Sequence, residues 1–333
     1  MYILLVVFIA IARISSENCD EISQLNLIVY KTIDSAAENI TTSAIIKLND
    51  DAFHLLLANQ SIPRLCVNVV QIMNELSVLQ IINSSVADID PGAFHIIPTL
   101  TLLKINFNLL TTIKSGVFNN VKAKEIDLSR NFISVIEDEA FDNNTSLQVL
   151  KLNHNAIKEI NPNWFKNSHN VYKLSVIYNE LTRIPAYAFK NLATNRALKL
   201  RLSANRIREI DPESFAGCGD IDILRLNGNK LVSLPREIFI NRTIRLLEVN
   251  TNRLLCFPDV LYESKLQRLE FLENSQFNCT CLGQVRTFVI KSKVDIMYPA
   301  IICEDKVREV NWVYNFNKTY EIPLLVTSTT ERF

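Results

Sequence analysis

One spacing constrains this chain more than any other feature. In Leu147–Phe165 (LQVLKLNHNAIKEINPNWF) apolar residues stand at positions 1, 4, 6, 11, 14 and 19, with Asn155 at position 9. The same skeleton returns with Ala197, Leu200, Leu202, Asn205, Ile207, Ile210 and Phe215. It returns again with Ile221, Leu224, Leu226, Asn229, Leu231, Leu234 and Phe239. A unit of about 24 residues cannot bury its apolar face alone, and stacked copies can, so a fixed period of this size specifies a repeat architecture.

The register extends well beyond these units. The ninth slot falls at Ser84, Asn108, Asn131, Asn155, Asn179, Asn205, Asn229, Asn252 and Asn274. A degenerate unit around Leu55, Leu57, Gln60, Ile62 and Leu65 precedes them. Slots 4 and 6 fit the period of two of a short strand with both residues inward. The slot-nine amide is suited to donate to and accept from backbone groups that would otherwise be buried unpaired. Slot 19 holds Phe94, Phe118, Phe141, Phe165, Phe189, Phe215 and Phe239, a predicted column of rings. Pro91, Pro162 and Pro212, each after an Asp or Asn, favour turns over long helices on that side.

On these residues the chain resembles the leucine-rich repeat family over roughly Ala52 to Cys303. The resemblance implies an α/β leucine-rich repeat solenoid, or horseshoe. Its concave side would be a parallel sheet, its convex side loops and short helical turns, with a cap at each end. It is similar to Toll-like receptor ectodomains and to secreted leucine-rich adhesion and immune proteins. The expected organisation is a signal peptide (1–16), an irregular N-terminal cap carrying Cys19 (17–51), repeats (52–274), a C-terminal cap (275–310) and a tail (311–333). The stretch LQRLEFLENSQFNCTC, Leu266 to Cys281, resembles the opening of the C-terminal cap of extracellular members. Ser275 stands where the family has Pro, one residue is inserted, and no cysteine follows Cys303.

The N-terminus, MYILLVVFIAIARISS, holds an apolar run too short to span a bilayer and is expected to be a secretory signal. No second long apolar stretch follows, so a secreted, extracellular chain without a membrane span is expected. Sequons at Asn39, Asn59, Asn83, Asn143, Asn144, Asn241, Asn278 and Asn317 are candidate glycosylation sites. Seven cysteines in an oxidising compartment favour disulfides. The resemblance implies Cys279–Cys303, with Cys281 reaching Cys256 and Cys19 pairing with Cys66, although sequence alone leaves connectivity open. Cys218 is then left over, as a half-buried thiol or as a link to a partner or second copy. A zinc site from Cys279, Cys281 and Cys303 is disfavoured by the one-residue spacing.

No Gly-rich phosphate loop, nucleophile elbow or His-Glu-x-x-His is present. A non-enzymatic protein without cofactor or metal is expected. A net charge of zero gives no support to a polyanionic partner such as nucleic acid. The solvent-facing strand slots instead predict a basic ligand-binding strip of Lys151, Tyr172, Lys173, Tyr178, Lys199, Arg201 and Arg225. An acidic end at Glu248, Glu270 and Glu273 would follow it. Arg and Tyr are residue types enriched at binding hot spots. The expected function is recognition of an extracellular protein or glycan, in innate immunity. The rival readings are a structural or adhesion protein of the matrix and a soluble decoy of a leucine-rich repeat receptor.

Overall fold

The computed structural model describes residues 25–30, 38–42, 46–47, 53–67, 70–71, 75–94, 97–193, 195–298 and 312–314. The chain divides into two compact units, Met1–Leu147 and Gln148–Phe333. The signal segment, Cys19, Cys303, Asn317 and the tail apart from residues 312–314 lie outside the described residues.

In the first unit, strands β1 (Leu25–Tyr30) and β2 (Glu38–Thr42) pair antiparallel, and β1 pairs antiparallel with β3 (His54–Ala58). From β3 the sheet runs parallel through β4 (Val78–Ile82), β5 (Leu102–Lys104) and β6 (Glu125–Asp127). Leu55, Leu79, Leu103 and Ile126 form one register row and are fully buried, as a side-chain period of two requires. The strands β1 and β2 correct the expectation that the N-terminal cap, 17–51, is irregular. Without them β3 would present a row of unpaired N–H and C=O groups, and the added hairpin satisfies that edge.

The second unit continues the pattern with β7 (Val149–Lys151), β8 (Lys173–Ser175), β9 (Leu198–Arg201), β10 (Ile221–Arg225), β11 (Ile244–Glu248) and β12 (Arg268–Glu270), all parallel. Helix α1 (Cys279–Ser292) follows, capped by Asn278, whose Oδ1 accepts from the Thr280 N–H at 2.8 Å. Strand β13 (Asp295–Tyr298) then pairs parallel with β12, and β14 (Trp312–Tyr314) adds antiparallel to β13. A strand thus forms within the predicted tail. Cys256 and Cys281 are bonded, with Cα atoms 5.6 Å apart, tying α1 to the preceding coil. Cys66 and Cys279 each take part in a separate disulfide.

Leu198, rather than Ala197, fills the first apolar slot of its coil. Ala197 is exposed, Leu198 is fully buried, and the register shifts between Leu198 and Lys199. The sequence spacing before this coil is two residues longer than its neighbours', and a bulge absorbs the misfit against β10.

Slot nine ties successive coils together. Asn205 Oδ1 accepts from the Leu181 N–H (3.1 Å), and its Nδ2 donates to the carbonyls of Val176 (2.8 Å) and Leu202 (3.1 Å). Asn229 does the same with Ile207, Leu202 and Leu226, and Asn252 with Leu231, Leu226 and Val249. In the first unit Asn108 accepts from Ser84 and Val86 N–H and donates to the Ile81 carbonyl. At Ser84 the side chain is too short to bridge, and its backbone carbonyl accepts the Ile62 N–H at 2.8 Å instead. The slot-19 rings are buried, with Phe118 stacked between Phe94 (6.0 Å) and Phe141 (5.3 Å) in the first unit and Phe215 against Phe189 (5.1 Å) in the second. Among the described residues their side of the coil is built of turns and short 3-10 segments such as Pro162–Phe165, begun by Asn161 and the proline.

Candidate binding surface

The residue before each slot nine has a left-handed backbone. Asn59, Asn83, Phe107, Arg130, His154, Tyr178, Ala204, Thr251 and Glu273 have φ between 50° and 59°, and Gly228 has φ 65°. This conformation turns the chain out of the strand and leaves slot eight along the strand-exit edge. Only one glycine occupies it, which hides the requirement from a search for glycine turns. The side chains here pair coil to coil. Asn83 Nδ2 donates to Asn59 Oδ1 at 2.8 Å, and the Arg130 guanidinium lies 5.0 Å from the Phe107 ring centre. In the second unit His154 stacks on Tyr178 at 4.5 Å, and Tyr178 remains 57% exposed.

The predicted strip residues lie on the strand face or at its margin in the second unit. Lys173 and Lys199 are register partners, as are Lys151 and Ser175. Ser175, Arg201, Arg225, Glu248 and Glu270 form one continuous row. Tyr172 carries the Arg196 guanidinium 5.2 Å from its ring centre, and Arg196 also donates to Gln148 Oε1.

The predicted division into a basic middle and an acidic end is corrected. Neighbouring strands lie about 4.8 Å apart, so opposite charges in adjacent coils meet and neutralise each other. Arg225 pairs with Glu248 at 2.9 Å and Lys199 with Asp222 at 3.3 Å across adjacent coils, and Arg268 pairs with Glu270 at 2.6 Å within one strand. Asp222 also receives Arg245. Arg245, ahead of Lys199, holds the Asp222 carboxyl below its usual range. Asp222 directly follows the first apolar slot of its coil, Ile221, so the spacing of the solvent-facing strand slots does not point to it.

Arg201 is different. Among the described residues it has no carboxylate partner, and its Nε is buried without a hydrogen bond. It stands between Ser175, whose hydroxyl donates to Asn153 Oδ1, and Arg225, which is engaged by Glu248. Two slots further, Ser203 accepts the Tyr178 N–H through its carbonyl, placing the exposed tyrosine beside the Arg201 coil.

Among the described residues no group of three or more His, Cys, Asp or Glu side chains is placed to hold a metal ion, and no helix is long and apolar enough to cross a membrane. Cys218 is a partly buried free thiol. Burial pushes it up to about 11, so little reactive thiolate forms near neutral pH, which weighs against a bond to a second chain. Of the sequon asparagines, Asn59, Asn83, Asn143, Asn241 and Asn278 are exposed and Asn144 is fully buried.

A BspA-type leucine-rich repeat region, in six copies, matches residues 73–196, and a second leucine-rich repeat profile matches residues 169–231. Among solved structures the chain is similar to Toll in the Drosophila Toll–Spatzle complex (TM-score 0.58, 20% identity, 69% of this chain and 33% of that one). It is also similar to TLR13 in a complex with the RNA ssRNA13 (TM-score 0.55, 21% identity, 67% and 31%) and to Toll in a glycosylated form of its Spatzle complex (TM-score 0.55, 22%, 66% and 30%). The chain spans about a third of the length of these structures. A comparison with curated proteins found no match. Repeat profile, coil register and neighbouring folds agree: residues 73–231 form a leucine-rich repeat region, and the fold is similar to that of Toll-like receptor ectodomains.

Proposed function

We propose that this is a secreted recognition protein, acting in innate immunity, which binds an extracellular protein or glycan on the strand face of the second unit. Arg201 carries the reading. A cation on a solvent-facing strand row, lacking the acid that each cationic neighbour on its C-terminal side possesses, is available to an acidic group of a ligand. Tyr178 offers a rigid, exposed ring within the same neighbourhood, already braced by His154. Glu248 and Glu270 in the same row oppose a polyanion, which favours a protein or glycan over nucleic acid. The Toll neighbour was solved with Spatzle, which is compatible with a protein ligand.

The test is a pull-down from extracellular fluid with the chain Glu17–Phe333 and with an Arg201→Glu, Tyr178→Ala variant of matched melting temperature. Loss of one specific partner from the variant supports the proposal. Capture of the same partners by both chains would remove this face from consideration.

A further inference from the structure

The sequence holds two overlapping sequons, Asn143-Asn144-Thr145 and Asn144-Thr145-Ser146, which are equivalent by composition. The fold separates them. Asn143 is exposed at the tip of the turn after Phe141, with φ 53°. Asn144 is fully buried, and its Nδ2 donates to the carbonyls of Phe118 (2.5 Å) and Phe141 (3.1 Å). These are the carbonyls of two successive slot-19 phenylalanines, whose rings stack at 5.3 Å.

The position has a structural role elsewhere in the chain. Asn144 stands three residues after Phe141, and Arg242 stands three residues after Phe239. Arg242 Nη2 likewise donates to the carbonyl of the preceding coil's slot-19 residue, Phe215, at 3.0 Å. Both side chains satisfy a carbonyl at the back of the ring column, where no strand ladder is available to do so.

We propose that the folded chain takes an N-linked glycan at Asn143 and excludes one from Asn144, so that the paired sequons resolve into one modification site and one structural clamp. This rests on the chain passing through the secretory pathway. In the transfer, Asn143 Nδ2 bonds to the anomeric carbon of an oligosaccharide carried on a lipid pyrophosphate. The sugar–phosphate bond breaks, the lipid pyrophosphate leaves with its electron pair, and the amide nitrogen gives up one proton. At Asn144 the same bond would place a sugar on a nitrogen whose two protons both serve buried carbonyls, in a site with no path to solvent.

The hydroxyl residues separate the two sequons without touching either asparagine. Thr145→Ala destroys only the Asn143 sequon, and Ser146→Ala destroys only that of Asn144. Each chain is secreted from a eukaryotic host behind a heterologous signal peptide, which tests the sites independently of the native leader. The monomeric fraction is deglycosylated enzymatically in oxygen-18 water, and labelled positions are read by mass spectrometry. The native chain should be labelled at Asn143 and not at Asn144. Thr145→Ala should lose one glycan, with Asn144 still unlabelled, and Ser146→Ala should lose none. Label at Asn144 in any folded chain, an unlabelled Asn143 in the native chain, or loss of a glycan from Ser146→Ala overturns the proposal.

Discussion

Replacing Asn205 by leucine tests whether the coils are held by their asparagine ladder or by apolar packing alone. Asn205 is 7% exposed, and its amide satisfies the Leu181 N–H and the carbonyls of Val176 and Leu202. Leucine is close in volume and more apolar, so burial of the side chain itself is not lost. What is lost is the pairing of backbone groups in two coils. An unsatisfied buried group costs about 1–3 kcal/mol, and the Leu181 N–H and Val176 carbonyl have no other close protein partner among the described bonds, so the total should be about 4 kcal/mol. For a body the size of the second unit this corresponds to a fall in Tm of roughly 10–15 °C. Scanning calorimetry and urea unfolding would both report it. Asn227→Ala is the control: its Nδ2 reaches only Glu248 on the strand face and its Oδ1 has no partner, so a loss of under about 1 kcal/mol is expected. If Asn205→Leu costs no more than the control, the ladder is incidental and packing alone holds the coils.

Two further perturbations address the backbone and the charges. Gly228→Ala should cost about 1 kcal/mol by urea titration, from the left-handed backbone rather than from crowding, since a Cβ there would meet Ala204 backbone atoms at an ordinary 3.5 Å. Ala204→Gly, at a position of φ 53°, is the reverse test and should be neutral or slightly stabilising. Asp222→Asn should lower stability at pH 7 by roughly 0.5 kcal/mol, the size of a solvent-screened pair. Because the folded Asp222 titrates below its unfolded value of about 3.9, that stability is fully present above this value and disappears as pH falls through the lower folded one. The native and variant melting curves should therefore converge in acid, and a difference that persists at low pH would refute the assignment.

The sequence specified the coil, because each slot obeys a local rule. Leucines at slots 4 and 6 must face inward on a strand, Phe at slot 19 must be buried, and Asn at slot nine must find backbone partners, whatever lies elsewhere in the chain. The edge hairpin was legible only in outline: Leu25, Leu27 and Val29 alternate, but nothing local says that their strand runs antiparallel to β3. The left-handed slot eight was hidden because tertiary pairing holds residues such as Phe107 and Tyr178 in a conformation their own propensity disfavours.

The site divides in the same way. Sequence alone determined which residues face solvent on the strands, so Lys173, Lys199, Arg201 and Arg225 could be named from spacing. It could not determine which of those charges remain available. Arg225 meets Glu248 and Lys199 meets Asp222 across residues 23 apart, and such pairing depends on the register between coils and on one bulge. The same holds for Asn143 and Asn144, adjacent and identical in type, one exposed and one clamped between two carbonyls. A repeat's period fixes the direction of each side chain, and only the stacking of one coil on the next decides what that side chain touches.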